Sequence, residues 1–119
     1  MEYIINYDDG TQYIGNIKDN KRNGVGLLKK DDILIYEGEW LNDKMHGKGK
    51  LFVPDEYSYV GEFVEGMKHG KGVKLTVDHS SEYNGMWEYN YQSGEGYEKY
   101  KGGSYYKVRI VLLTHYHKG

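Results

Sequence analysis

The sequence predicts an all-β protein: an elongated, single-layer, twisted antiparallel sheet of consecutive β-hairpin repeats with open edges. Three observations predict it. Tyr-x-Gly recurs at Tyr13, Tyr36, Tyr59 and Tyr83, at intervals of 23, 23 and 24 residues. A Gly-x-Gly begins 11 residues after each of those tyrosines, at Gly24, Gly47, Gly70 and Gly94. Between the two motifs the apolar residues alternate with a period of two, as in Tyr36-Glu37-Gly38-Glu39-Trp40, which is the period of a strand. No stretch carries the 3.6-residue period of a helix.

Taken in order, residues 1–12 are a partial N-terminal repeat or cap, with Tyr7-Asp8-Asp9-Gly10-Thr11-Gln12-Tyr13 reading as the close of a preceding repeat. Four repeats follow, at 13–35, 36–58, 59–82 and 83–105. In each, the first strand carries Tyr-x-Gly and ends on Ile17, Trp40, Phe63 or Trp87. Asn42–Met45 and Glu65–Lys68 suit the turn that must follow, since Asn, Asp and Gly tolerate turn dihedrals. The second strand of repeat two runs from about His46 to Val53 and is broken by Pro54-Asp55-Glu56; Asp78–Ser81 breaks the next. Residues 106–119 form a degenerate fifth repeat or an irregular tail. Tyr106 is in phase, but Val108 stands where glycine is expected and Val111-Leu112-Leu113 replaces the polar turn.

A four-residue turn at Asn42–Met45 sets the register of repeat two. It places Tyr36 across from Leu51, Gly38 across from Gly49 and Trp40 across from Gly47, all on one face because strand side chains alternate. The repeat glycines (Gly15, Gly24, Gly26, Gly38, Gly47, Gly49, Gly61, Gly70, Gly72, Gly85, Gly94 and Gly96) leave a bare floor that rings can cover. The other face pairs Glu37 with Lys50, Glu39 with Lys48 and Glu62 with Lys71; exposed ion pairs of this kind contribute about 0–1 kcal/mol each. A lone hairpin is marginal in water, so stability must come from neighbouring repeats.

Composition bounds the function. The 119 residues suffice for one domain, and 16 Lys and Arg against 18 Asp and Glu lack the basic excess of a nucleic-acid binder. There is no cysteine, hence no disulfide and no thiolate metal site. The first residues lack the basic start and apolar run of a signal peptide, so a cytoplasmic location is expected.

No catalytic constellation emerges, and neither a cofactor nor a metal is expected. His46 and His69 share one repeat position, which marks a structural or surface role. His115 and His117 have the i, i+2 spacing of a strand, but two ligands without a carboxylate make a weak metal site. Glu37, Glu39 and Glu62 are accounted for by their facing lysines, and Ser80-Ser81 lies in a turn. His-Gly-Lys-Gly lacks the spacing and the helix of a phosphate loop.

Tyr36-Glu37-Gly38-Glu39-Trp40 followed by His46-Gly47-Lys48-Gly49 resembles the MORN repeat family, and Tyr59 to Gly72 is nearly as close. Repeats one and four are looser, with Ile17 for the aromatic and Asn23 or Ser93 for the histidine. The resemblance covers about residues 3–106. It implies a grooved aromatic face and an interaction module of the kind found in cytoskeletal, ciliary and membrane-junction proteins and beside lipid kinases and histone methyltransferases.

The expected function is therefore a non-catalytic protein-interaction scaffold, cytoskeletal or ciliary. A single-layer sheet has no second layer to cover its rings, and Tyr and Trp dominate interface energetics. Tyr13, Tyr36, Trp40, Tyr59, Phe63, Tyr83 and Trp87 are the partner-binding candidates. Two alternatives stand beside this. One is a peripheral membrane module for anionic phospholipid, whose only candidate patch is Lys18, Lys21, Arg22, Lys29 and Lys30. The net charges of +2, −2 and −1 over 13–35, 36–58 and 59–82 give no continuous basic stripe. The other is a regulatory fragment of a larger enzyme such as a lipid kinase, suggested by the break in repeat logic from Lys107 on. The open sheet edges invite a homodimer or a longer assembly.

Overall fold

Strand-forming sequence and short turns produce a simple meander. The computed structural model describes residues 1–111. Ten strands lie side by side in chain order, each antiparallel to the next: β1 (Tyr3–Asn6), β2 (Thr11–Lys18), β3 (Lys21–Lys30), β4 (Ile33–Leu41), β5 (Lys44–Val53), β6 (Tyr57–Val64), β7 (Met67–Thr76), β8 (Ser81–Glu88), β9 (Tyr91–Tyr100) and β10 (Tyr105–Ile110). The predicted all-β sheet of consecutive hairpins with open edges is what forms. His115 and His117 lie outside the described residues.

The turn within each repeat differs from the expectation. It has two residues, not four: Asp19-Asn20, Asn42-Asp43, Glu65-Gly66 and Tyr89-Asn90, each with positive φ at both positions. That is the I′ geometry, whose twist matches that of the flanking strands. Between repeats, 31–32 is another two-residue turn with positive φ at both positions, while 54–56, 77–80 and 101–104 are longer loops.

The shorter turn shifts the register near it. Tyr36 faces Leu51, Glu37 faces Lys50 and Gly38 faces Gly49, as expected, but Trp40 faces Met45 and not Gly47. Between the two registers, Glu39 alone opposes His46-Gly47-Lys48, a bulge that recurs at Asn16, Glu62 and Met86. Gly47 makes the bulge possible with φ +73, a conformation that side chains disfavour. The expected Glu39–Lys48 and Glu62–Lys71 ion pairs are replaced by backbone contacts. Glu39 Oε2 accepts the Lys48 N–H at 2.8 Å and Glu62 Oε1 accepts the Lys71 N–H at 3.1 Å. The carboxylates cap the bulge, satisfying an N–H that the displaced strand leaves unpaired.

Glycines at the other two repeat positions join across the sheet. Gly15, Gly26, Gly38, Gly49, Gly61, Gly72, Gly85 and Gly96 pair in succession, forming one row across β2 to β9. The row ends on Tyr3 in β1 and Val108 in β10. A Cβ on Gly49 would sit 2.2 Å from the Tyr36 hydroxyl, so the ring lies directly on the glycine.

Candidate interaction surface

The seven rings form a ladder over this glycine row. Each tyrosine of a repeat lies flat against its own second-strand glycine and turns its hydroxyl to the backbone. Tyr13, Tyr36, Tyr59 and Tyr83 donate to the carbonyls of Asn16, Glu39, Glu62 and Met86 at 2.7, 2.8, 2.9 and 2.9 Å. The aromatic residue at the end of each first strand reaches back one repeat. Trp40 faces Gly24 across β3–β4, and Phe63 and Trp87 face Gly47 and Gly70. The indole N–H groups of Trp40 and Trp87 donate to the Gly26 and Gly72 carbonyls, each at 3.1 Å.

Alternation follows from that reach: Tyr13, Trp40, Tyr36, Phe63, Tyr59, Trp87 and Tyr83 pack edge to face in sequence, with centroids 5.1–5.5 Å apart. T-shaped pairs place the positive ring edge on the negative ring face. Burial pushes the Tyr59 phenol up to about 12, with the Glu62 carboxylate adding to it, and it pushes Tyr36 higher still.

The structure brings all seven sequence-predicted residues together, but at 0–5% exposure they are the core and present almost no surface. The second residue of β3, β5 and β7 supplies part of the cover. The Arg22 guanidinium stands 4.5 Å over Trp40 and Met45 packs on the cluster. The Lys68 ammonium lies 5.6 Å from Trp87 and 5.0 Å from Tyr57, donating to the Tyr57 hydroxyl at 2.8 Å. Lys68 is 9% exposed and is satisfied by ring faces and one hydroxyl, with no carboxylate partner among the described residues. Leu28, Leu51 and Tyr57 also pack on the ring cluster, and so do Val108 and Ile110 from β10. The twisted sheet thus covers its own aromatic row without a second layer.

Surface open to a partner lies on the other face and along the loops. Val25, Val60, Met86 and Tyr97 are exposed on strands whose neighbouring residues build the ladder. One groove of about 340 Å³ crosses this face between Lys48, Val60, Lys71, Val73 and Asn84. A second, of about 350 Å³, lies where β4 to β7 enter the inter-repeat loops, among Leu34, Phe52, Pro54, Tyr57, Leu75 and Val77. Sequence reasoning missed this groove. Its signal was the run Leu51-Phe52-Val53, too apolar for a strand with one wet face.

The basic patch divides. Lys21 and Lys30 stand at opposite ends of β3, a separation of about 30 Å at strand rise. Arg22 is engaged by Asp43: its N–H donates to Asp43 Oδ1 at 2.8 Å and its Nε lies 3.2 Å from the same oxygen. That N–H holds the Asp43 carboxyl below the usual range, with the guanidinium assisting. Lys30 is 3.9 Å from Asp9. His46 and His69 sit in the bulges, and the His69 ring lies edge-on to Tyr89 at 5.2 Å.

The MORN repeat family model matches three consecutive stretches of the chain, residues 13–32, 36–55 and 59–81, together more than half of its length. No curated protein matches it at a significant level. The three stretches coincide with the β2–β3, β4–β5 and β6–β7 hairpins; the β8–β9 hairpin repeats their geometry outside the matched residues.

Proposed function

Since the chain belongs to the MORN repeat family, a repeat-based interaction module, we propose that it is a non-catalytic scaffold that holds a protein partner within a cytoskeletal or ciliary assembly. The observation that carries the reading is the inside-out division of labour in the sheet. Rings and glycines are consumed in a rigid spine, while Val25, Val60, Met86 and Tyr97 stay exposed on the opposite face of the same hydrogen-bonded sheet. A preorganised surface with exposed apolar residues favours docking, because little ordering cost remains on binding.

In this reading the seven rings act on a partner indirectly, by fixing the surface above them. The split of the basic residues between the two ends of β3 favours a protein over an anionic lipid headgroup, which wants clustered Lys and Arg.

Crosslinking of the full chain in the cells that make it, followed by fractionation, tests the proposal. The expected result is a protein partner recovered in the cytoskeletal fraction. Sedimentation with phosphoinositide vesicles at low salt, with no protein crosslinked, would overturn it.

A further inference from the structure

We infer that the groove beneath the inter-repeat loops docks a basic amphipathic helix of a partner protein. The inference rests on the scaffold reading and names the class of partner. The groove is apolar, with Leu34, Phe52, Pro54, Leu75 and Val77 in its walls. The loops that border it, 31–32, 54–56 and 77–80, carry Asp31, Asp32, Asp55, Glu56 and Asp78 and no Lys or Arg. Asp55 and His79 lie in the groove wall, and the Asp31 carboxylate lies against Gly10. An apolar slot with Asp55 in its wall and Asp32, Glu56 and Asp78 on the adjoining loops is complementary to Leu-like anchors flanked by Lys or Arg. It is the wrong sign for the headgroup of an anionic lipid.

The rim is preformed. The Val77 N–H donates to the Glu56 carbonyl at 2.9 Å, tying loop 54–56 to loop 77–80. Asp78 Oδ1 accepts the Ser80 N–H at 2.9 Å, and with the Ser80 side chain also engaged the carboxyl is held down to about 2.

The occupant must bring side chains and not backbone. Strands β4 to β7 are paired on both edges, so no ladder position is free for an added strand. Crossing from β4 to β7 is three inter-strand steps, about 14 Å, which matches roughly ten residues of helix.

The test uses the full chain and two peptides of about 18 residues, long enough for five helical turns. One has Leu at i, i+3, i+4 and i+7 with Lys elsewhere; its twin has Glu in place of Lys. Variants are Phe52→Asp, at a half-exposed residue outside the ring ladder, and a triple change Asp32→Asn, Asp55→Asn and Glu56→Lys. Asn is used at Asp32 and Asp55 because it keeps their left-handed φ values of 66° and 63°. Near-UV circular dichroism of the Trp40–Trp87 ladder reports folding.

The Lys peptide should bind the wild type and weaken more than about tenfold on Phe52→Asp. It should weaken about tenfold on the triple change, with less dependence on salt. The Glu twin should bind at least about tenfold more weakly than the Lys peptide. Equal binding of the twins, undiminished binding by the triple variant, or binding of phosphatidylserine vesicles in preference to the Lys peptide would each overturn the inference. Should Phe52→Asp fail to fold, the triple variant on the exposed loops decides alone. In cells, a crosslinked protein retained by folded Phe52→Asp would sink this inference and leave the scaffold reading standing. A wild type that crosslinks no protein would sink both.

Discussion

Repeat two and repeat four share a hairpin and differ in almost everything laid on it. In both, the tyrosine lies on the second-strand glycine, the two central glycines pair, and the tryptophan reaches back to the preceding repeat. Both use a two-residue turn with positive φ. In repeat two, however, Glu39 caps the bulge, Leu51 lies between Tyr36 and Tyr59, and Met45 covers the rings. In repeat four the same places hold Met86, Glu98 and Gln92. Only four residues of the unit, the tyrosine and the three glycines, are common to all four hairpins, since Ile17 stands for the closing aromatic in repeat one. The cap and the cover adjust stability and leave geometry alone, and this explains how β8–β9 can keep the fold outside the stretch that the family pattern matches.

The comparison breaks hardest at a glycine. Gly49→Ala drives a Cβ into a buried tyrosine that cannot retreat, because its hydroxyl is bonded to Glu39. A loss of about 3 kcal/mol or more is expected by urea titration. Gly94→Ala, at the bulge glycine of repeat four and not at the tyrosine-covered Gly96, meets nothing closer than the Met86 Cβ at 3.8 Å and suffers only from its φ of +62. About 1–2 kcal/mol should be lost there. Equal losses would mean that the tyrosine is not seated on the glycine.

A swap of cover residues comes next. Leu51→Glu places an acid between Tyr36 and Tyr59 and should cost about 2 kcal/mol. Glu98→Leu, at the equivalent place in repeat four, should stabilise by about 0.5–1 kcal/mol, with thermal unfolding as the readout.

Alkaline pH separates the repeats by burial. Unfolded tyrosine loses its proton near 10.0, whereas folded Tyr59 keeps it until about 12. The folded state binds more protons in that window, so the stabilisation is whole below pH 10 and drains away as pH rises toward 12. The urea midpoint should fall across this range, and tyrosinate absorbance should lag behind that of free tyrosine. Tyr36 should titrate after Tyr59.

The smallest effect sharpens the comparison by transplanting the cap. Met86→Glu gives repeat four the carboxylate that repeat two has, facing the Glu95 N–H as Glu39 faces that of Lys48. A gain of about 0.5–1 kcal/mol is expected. Glu39→Met should lose about the same.

Much of this was legible from residue spacing, and the failures have physical causes. Tyr36–Leu51, Glu37–Lys50 and Gly38–Gly49 were readable because strand alternation fixes which side chains share a face. The turn was not, since Asn42-Asp43 suits both a two-residue I′ turn and a longer loop. That ambiguity hid the bulge and with it the work of Glu39 and Glu62. It also hid that Trp40 faces Gly24 and belongs partly to the preceding repeat.

The sequence by itself determined an array of hairpins and the residues of its spine, because a period of 23 or 24 residues imposed on strand alternation leaves little freedom. Tertiary structure decided what that spine is for. Trp40, Phe63 and Trp87 each close over the repeat before them, and Arg22, Met45 and Lys68 close over the rings. A face that reads as open in one hairpin is buried in an array, because burial is a property of neighbours. The groove under the loops arises in the same way, from Leu34, Phe52 and Leu75 in three separate strands that only the register brings together.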